Sequence, residues 1–448
     1  MTRFTEHRRY RRGSVRIRLA GAATLAAALL LSACSGSAVS GGNGDSGSAY
    51  PDPGITDTEI KIGVTYPFSG PVSAYGDQYK GAEAYVRYVN EVQGGIQSAD
   101  GKTRKLVVEA RDDQYDPGKS LEQVRRLVES DNVFAINGVV GTPPNSAIVE
   151  YLNNAEVPHL FAATGATKWG AQPDVWPWTV GFQPAYSLES TALVQHLEQA
   201  DPDATVAILY QNDDYGKDFL AGFEWAVEQS DSNIKIVAKE SYETADASVD
   251  SQMARLAASN ATVANLITTP KFAAQALVNL AQSSWDPQTT LLPSPSASIS
   301  ATIEPAGFDK AQGVITALYF KDPADPQWEA DEGMREYKDI LTNYGSVQNL
   351  SENMPVHGFM HFYALVEALK LMEEPTRQGL MDAALSMSNI QHPMLIPGSS
   401  INTTPDHRFP VESLQLMRFE GEKWVSLGGP LNLQGRTPKL TVEQLSGQ

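Results

Sequence analysis

From Ile55 onward the chain alternates short β-rich runs with amphipathic stretches of helical length, and this alternation restricts the folds open to it. Glu59 to Tyr66 reads as a strand, Gln78 to Val92 as a helix, Lys105 to Arg111 as a strand, Pro117 to Ser130 as a helix and Val133 to Asn137 as a strand. This is the βαβ rhythm of a parallel sheet covered by helices on both faces. It resumes after Pro184: a helix to Ala200, then strands Thr205 to Tyr210, Ile234 to Ala238 and Val263 to Ile267, separated by helices Phe219 to Gln229 and Val249 to Ser259 and followed by Phe272 to Ser283. The expected fold is α/β, with two doubly wound parallel-sheet lobes in series. A β-rich Gly313 to Phe320, helices within Trp328 to Tyr344 and Pro355 to Glu373, and a β-rich pair at Ser413 to Phe419 and Lys423 to Leu427 read as crossings back between lobes.

The start of the chain is of another kind. Seven arginines between Arg3 and Arg18 precede an apolar run, Leu19 to Leu31, that is too short to span a membrane and fits a secretory signal. It ends in Leu31-Ser32-Ala33-Cys34, which resembles a bacterial lipobox and contains the only cysteine of the 448 residues. That resemblance implies cleavage of residues 1–33, acylation of Cys34 and retention on the outer face of the bacterial cell membrane. Residues 34–54, rich in Ser and Gly, read as a flexible tether. With Cys34 acylated no thiol remains for a disulfide or a cysteine-ligated metal. The formal net charge of -19 becomes more negative once the arginine-rich start is removed, which argues against nucleic acid as a partner. The remainder is long enough for two lobes of roughly 200 residues, each with its own core.

In open parallel sheets ligands bind beyond the carboxyl ends of strands, where loop amides and helix N-termini face a crevice. The loops so placed are Pro67 to Asp77, Gly138 to Pro144, Ala162 to Thr167 and Asn212 to Gly216. Each of the first three combines small residues with hydroxyls, a pairing that suits a carboxylate. No G-x-S-x-G elbow, H-E-x-x-H helix or Walker phosphate loop occurs, so hydrolase, zinc-protease and NTPase chemistries lack their minimum parts. The Gly44 and Gly47 spacing in the tether matches part of a dinucleotide fingerprint, but no strand precedes it. His357 and His361 stand four apart on an expected helix, yet no third ligand is evident and their neighbours are apolar. No metal, cofactor or catalytic residue is expected. The acid pairs Asp112-Asp113 and Asp213-Asp214 read as solvated loop acids or helix caps.

Ser69-Gly70-Pro71 with Tyr75-Gly76-Asp77, Gly141-Thr142-Pro143, Ala162-Ala163-Thr164 and Asp214-Tyr215-Gly216 together resemble the leucine/isoleucine/valine-binding type of extracytoplasmic solute receptor of ABC importers. The likeness runs in order from about Ile60 to about Phe419. It implies a type I periplasmic-binding fold with a three-segment hinge crossing near Gln183, Phe320 and Met394. Residues 55–182 and 321–394 then form the first lobe, and residues 183–320 and 395–440 the second. The resemblance places a ligand carboxylate at Thr142, Thr164 and the backbone around Ala162, and puts Tyr75 and Tyr215 over the ligand. Ser69 and Tyr186 complete the candidate set, and Phe182 and Trp169 are further candidates for an apolar wall. It implies a permease and ATPase complex as partner and a monomer as the working form; a sensor on the same fold is the alternative. The loop that carries an acid for the ligand ammonium in amino-acid-binding members reads Leu292-Pro293-Ser294-Pro295-Ser296 here, and an aromatic of the family is replaced by Thr268-Thr269-Pro270. Asp213, Asp214 or Glu243 could compensate. A carboxylate without an amine, aromatic or branched, fits the remaining loops at least as well as an amino acid.

Overall fold

Strand β1 (Glu59–Tyr66) is buried along nearly its whole length, as a central strand covered on both faces must be. It is flanked by β3 (Thr103–Asp112) on one side and β4 (Ala135–Asn137) on the other, both parallel to it. Strands β5 (His159–Ala162) and β6 (Thr179–Gly181) extend the sheet in parallel, and β2 (Ile96–Gln97) adds an antiparallel edge, giving the order β2-β3-β1-β4-β5-β6. The chain winds outward from β1 to β3 and then returns to its other side with β4, so the topological switch lies between β1 and β4. The computed structural model from which this is drawn describes residues 50–446. The signal segment, Cys34 and the tether up to residue 49 lie outside the described residues.

The second sheet repeats the plan. Strand β7 (Thr205–Gln211) has β8 (Lys235–Tyr242) on one side and β9 (Val263–Ile267) on the other, and β10 (Thr289–Leu291) and β11 (Ile315–Leu318) continue in parallel. The late pair β12 (Ser413–Glu420) and β13 (Lys423–Ser426) closes this sheet as an antiparallel edge, with β14 (Leu431–Asn432) paired to β12. The two sheets are the centres of two lobes. Residue periodicity could not show that β12 runs antiparallel, because its burial pattern is that of any interior strand.

After β11 the chain returns to the first lobe as three helices, Glu332–Tyr344, Met354–Leu371 and Arg377–Ala384. Met354–Leu371 packs on Gln78–Glu91 so closely that backbone meets backbone. A Cβ on Gly358 would lie 1.8 Å from the Gln78 carbonyl oxygen, and one on Gly81 1.8 Å from that of Pro355. Two glycines facing each other across a helix crossing therefore set the interhelical distance. Gly358→Ala gains helix propensity of about 1 kcal/mol but must push the helices apart, a cost in the upper range for overpacking. We expect a net loss of about 2 kcal/mol, read as a lower denaturant midpoint at unchanged slope.

The crossings between lobes are short. Lys321 N–H donates to Met394 O at 2.8 Å and Ile396 N–H to Tyr319 O at 3.2 Å, so the second and third crossing segments pair as a small antiparallel ribbon. Beyond it, Arg408 donates to the carbonyls of Trp176, Pro177 and Thr179, and the Thr403 hydroxyl to Ala384 O. Part of the stretch that follows Leu395 thus rests against the first lobe before β12 joins the second sheet. At the other end of the described chain, Asp52 accepts from the Arg377 N–H at 2.7 Å, and Gly54, at φ 81°, packs where a Cβ would meet the Phe134 backbone, so residues 50–54 lie on the first lobe. Among the described residues no helix is long and apolar enough to cross a membrane.

Candidate functional site

Both switch points open toward one another. The first lobe sends Tyr75 and Gln78 from beyond β1, Tyr115 from beyond β3, Gly141 from beyond β4 and Ala163 from beyond β5 into a common cavity. The second lobe answers with Tyr215 from beyond β7, Thr269 from beyond β9 and Ser294, Pro295 and Ser298 from beyond β10. Gln183, Tyr186, Tyr319, Asn353 and His357 close it on the crossing side. Its volume is about 40 Å³, where one water needs roughly 10–15 Å³ on the same measure, so as the lobes stand it suits a small solute.

The lobes are closed on each other. The Tyr75 hydroxyl of the first lobe donates to Pro295 O of the second at 3.1 Å, while within the second lobe the rings of Tyr186 and Tyr215 meet edge to face at 5.3 Å. Beside the cavity, Thr167 of the first lobe donates through its N–H (2.9 Å) and its hydroxyl (2.8 Å) to Asp218 of the second, and Lys168 reaches Asp214 at 3.1 Å. Asp218 is buried, and burial pushes its carboxyl up to about 7 against the pull of the Thr167 bonds.

Gly141 is the tightest point of the wall. It sits at φ 94°, a conformation open to glycine, and a Cβ there would lie 2.2 Å from the Tyr115 ring. Thr142 and Thr164 stand directly beside Gly141 and Ala163, with their hydroxyls bonded to each other at 2.6 Å, and the Ala166 N–H donates to Thr164 Oγ1. They are buried and do not themselves line the cavity. The helix that starts at Thr142 continues with Pro143 and Pro144, which have no N–H, so its first turn offers fewer amide donors than most helices do. Ala162 ends β5, fully buried. Ser69 is exposed and its hydroxyl donates to Asp112 at 2.6 Å, away from the cavity. The structure therefore gathers Tyr75, Tyr186 and Tyr215 at the cavity, places Thr142, Thr164 and Ala162 behind its wall and leaves Ser69 outside. Phe182 and Trp169 are core residues, Phe182 against Phe161 and His361.

Among the described residues no Lys, Arg, Asp or Glu lines the cavity. Its polar groups are phenols, hydroxyls, the amides of Gln78, Gln183 and Asn353, and His357, which bonds the Tyr319 hydroxyl at 3.0 Å and is pushed down to about 4 by burial. Gln78 Oε1 and Asn353 Oδ1 are buried there with no protein partner. The Tyr75, Tyr115, Tyr215 and Tyr319 phenols are all raised by burial, and Tyr186 is pushed up to about 12, so each is uncharged at neutral pH; the Tyr75 proton goes to Pro295 O and the Tyr215 proton to Thr268 O at 3.0 Å.

The acids named as compensators are occupied elsewhere: Asp213 caps its helix through the N–H groups of Tyr215 and Gly216, Asp214 pairs with Lys168, and Glu243 holds Asn212. Asp113, read as a solvated acid or cap, is buried and receives the Thr65 hydroxyl at 2.7 Å, the Ser120 hydroxyl at 3.1 Å and the Tyr115 N–H at 2.9 Å; it fixes the turn that delivers Tyr115. The acid that does approach the 292–296 loop is Glu189, on the helix Tyr186–Ala200, which accepts from both the N–H and the hydroxyl of Ser294 at 2.7 Å. Sequence reasoning missed Glu189 and Tyr115. Among the described residues no group of three or more metal-ligating side chains occurs.

The profile of a family described as periplasmic binding protein matches residues 59–423. Leu/Ile/Val-binding protein homolog 7 of Brucella suis biovar 1 is 28% identical over 166 residues, covering 35% of this chain and 40% of that protein. The Leu/Ile/Val-binding protein of Escherichia coli K12 is 27% identical over 179 residues, covering 39% and 46%. The match thus spans less than half the length of these curated relatives. A branched-chain amino acid ABC transporter structure from Thermus thermophilus with bound valine superposes with a TM-score of 0.73 at 18% identity, covering 84% of this chain and 97% of that one. A fatty acid ABC transporter substrate-binding protein from Thermomonospora curvata gives a TM-score of 0.72 at 21% identity, covering 86% and 97%. The two share the fold and differ in the cargo they are named for, so the likeness carries the architecture and leaves the ligand to the cavity.

Proposed function

We infer, since this chain belongs to the periplasmic binding protein family, that it captures a small carboxylate-bearing solute outside the cytoplasm and hands it to an ABC permease and its ATPase. The observation that carries this reading is the cavity itself, which sits where the switch points of two sheets face each other and takes its walls from both lobes. A ligand that touches both walls stabilises the closed arrangement over the open one, and that difference is the signal a permease can recognise. We propose further that Cys34 carries the lipid that holds the protein at the outer face of the membrane, and that the protein works as a monomer.

The cavity favours an amine-free acid over an amino acid. An ammonium buried with no acid beside it carries a penalty of several kcal/mol, and no acid lines the wall. A carboxylate fares better, because the Tyr115 phenol and the side-chain amides of Gln78, Gln183 and Asn353 can donate to it. Thr142 and Thr164 act on the ligand through the loops they tie together. Thr164→Val leaves the Thr142 hydroxyl and the Ala166 N–H without their partner, at about 1–3 kcal/mol of stability, and loosens Gly141 and Ala163. Calorimetry with the best-binding acid is expected to show about tenfold weaker affinity in a protein that still folds. Parental affinity in T164V would remove this part of the account.

A further inference from the structure

Glu189 is a buried acid with no cation beside it. It lies in the first turn of the helix Tyr186–Ala200, and its two carboxyl oxygens are taken up by one residue, the N–H and the hydroxyl of Ser294, each at 2.7 Å. Ser294 in turn lines the cavity. Its hydroxyl has one proton; while that proton points at an ionised Glu189, only lone pairs remain to face the ligand. When Glu189 is protonated, its own O–H can donate to Ser294, and the serine proton is freed to turn toward the cavity. The charge of a residue that never touches the ligand thus decides whether this wall accepts or donates.

We propose that Glu189 is a specificity-determining positioning residue: ionised, it holds Ser294 as a hydrogen-bond acceptor, so the solute presents a neutral donor, a hydroxyl or an amide N–H, to that wall. This rests on the reading of the cavity as the site of a small carboxylate-bearing solute. The carboxyl is pushed up to about 7 by burial, against the pull of the two Ser294 bonds, so the exchange falls within an accessible pH range. Glu189 faces the phenols of Tyr215 and Tyr319, both raised by burial and therefore uncharged throughout. The helix Asp214–Gln229, packed along its own, carries Asp214 paired with Lys168, Glu224 paired with Lys239, Lys217, Glu228 and the buried Asp218, whose carboxyl is also raised to about 7, so E189Q is the control that separates the two acids. On the strands its helix packs against, the charged Arg418 and Glu420 of β12 are exposed and paired with each other, and β11 carries no titratable side chain. On its own helix His196 lies more than a turn away and is held down by burial.

The test compares 2-hydroxy-4-methylpentanoate with 4-methylpentanoate, two probes that differ by one hydroxyl, by calorimetry at pH 5.5 and pH 8.5. At pH 8.5 the hydroxy acid should bind about tenfold tighter, as expected for one hydrogen bond to a charge-polarised acceptor. At pH 5.5 that preference should shrink to about twofold or less. Glu189→Gln should show the small preference at both pH values, and Ser294→Ala, which keeps Glu189 and is the milder change to the fold, should lose it at both. A preference that is the same at both pH values and in E189Q overturns the proposal and leaves the solute reading intact. Failure of both probes to bind the parent protein at either pH overturns the carboxylate reading, and this proposal with it.

Discussion

Gly141→Val is expected to abolish solute binding, by at least about a hundredfold, in a protein whose lobes remain folded. Two independent physical costs meet at this position. The backbone is at φ 94°, where a β-branched residue carries strain of about 1–3 kcal/mol. The new Cβ also has nowhere to go, since it would lie 2.2 Å from the edge of the Tyr115 ring and 2.8 Å from its Cζ. The turn that carries the ring is tied down by Asp113 through its bond to the Tyr115 N–H, so the ring, which lines the cavity, must itself shift. The substitution therefore fills the space the ligand needs and displaces one of its walls. The cores of the two sheets lie elsewhere, so circular dichroism should show a native spectrum with a stability loss of about 3 kcal/mol. A G141V protein that binds the parent's solute with parental affinity would mean that the site is not at this junction.

A second large effect concerns pH. Glu189, Asp218 and Asp322 are buried carboxyls raised to about 7, 7 and 6, with burial the leading cause in each. A raised carboxyl binds its proton more readily in the folded than in the unfolded chain, so its contribution is complete below the unfolded value and is lost as pH rises through the folded one. His159 and His392 are pushed down to about 3 and His357 to about 4 by burial, and buried His361 lies well below its usual value. Their sign is opposite: the contribution is complete above about 6.5 and is lost as pH falls. Each group changes stability by about 1.4 kcal/mol per pH unit inside its own window. Between about pH 4.5 and 6 four histidines pull against three carboxyls, so stability should fall only gently, by about 1.4 kcal/mol per unit. Below about pH 3.8 the carboxyls have saturated while His159, His361 and His392 continue, at about 4 kcal/mol per unit. The net loss by about pH 3 is then comparable to a total stability of about 5–15 kcal/mol. An acid titration followed by tryptophan fluorescence should therefore show a shallow decline and then cooperative unfolding between about pH 4 and 3. A steep decline, of about 4 kcal/mol per unit, that begins at about pH 6.5 would show that Asp218 and Glu189 are not buried in solution. Because Asp218 is covered by Thr167 of the other lobe, such a result would also argue that the lobes stand open.

The two lobes were legible because β1, β7 and β9 are short apolar runs between amphipathic helices, a pattern that only a covered parallel sheet satisfies. Tyr75 and Tyr215 were legible because the loops after first strands are where such sheets hold ligands. What the sequence hid depends on contacts between distant positions. Glu189 and Ser294 are 105 residues apart, and in sequence Glu189 is an ordinary acid in the first turn of a helix, where acids are favoured in any case. Its one distinguishing sign was that no other charged residue follows until Glu198 in a stretch that the fold buries. Ser69 misled for the converse reason: a hydroxyl beyond β1 looks available until the end of β3 brings Asp112 to within 2.6 Å of it. Thr142 and Thr164 lie at the expected loops, but each hydroxyl is engaged by the other, a pairing that register between β4 and β5 creates and spacing cannot show.

The central question is whether a small acid is held between the lobes. The most direct measurement is the melting curve of the protein, alone and with branched and aromatic amine-free carboxylates in one set and branched-chain amino acids in the other. A ligand present at one hundred times its dissociation constant adds about 2.7 kcal/mol to the folded state. A clear upward shift is expected with at least one amine-free acid, and a smaller one or none with its amino-acid counterpart, because among the described residues no acid lines the cavity to meet an ammonium. Stabilisation by amino acids alone would contradict the assignment of ligand class, and an unchanged melting curve with every member of both sets would contradict the capture of a carboxylate itself.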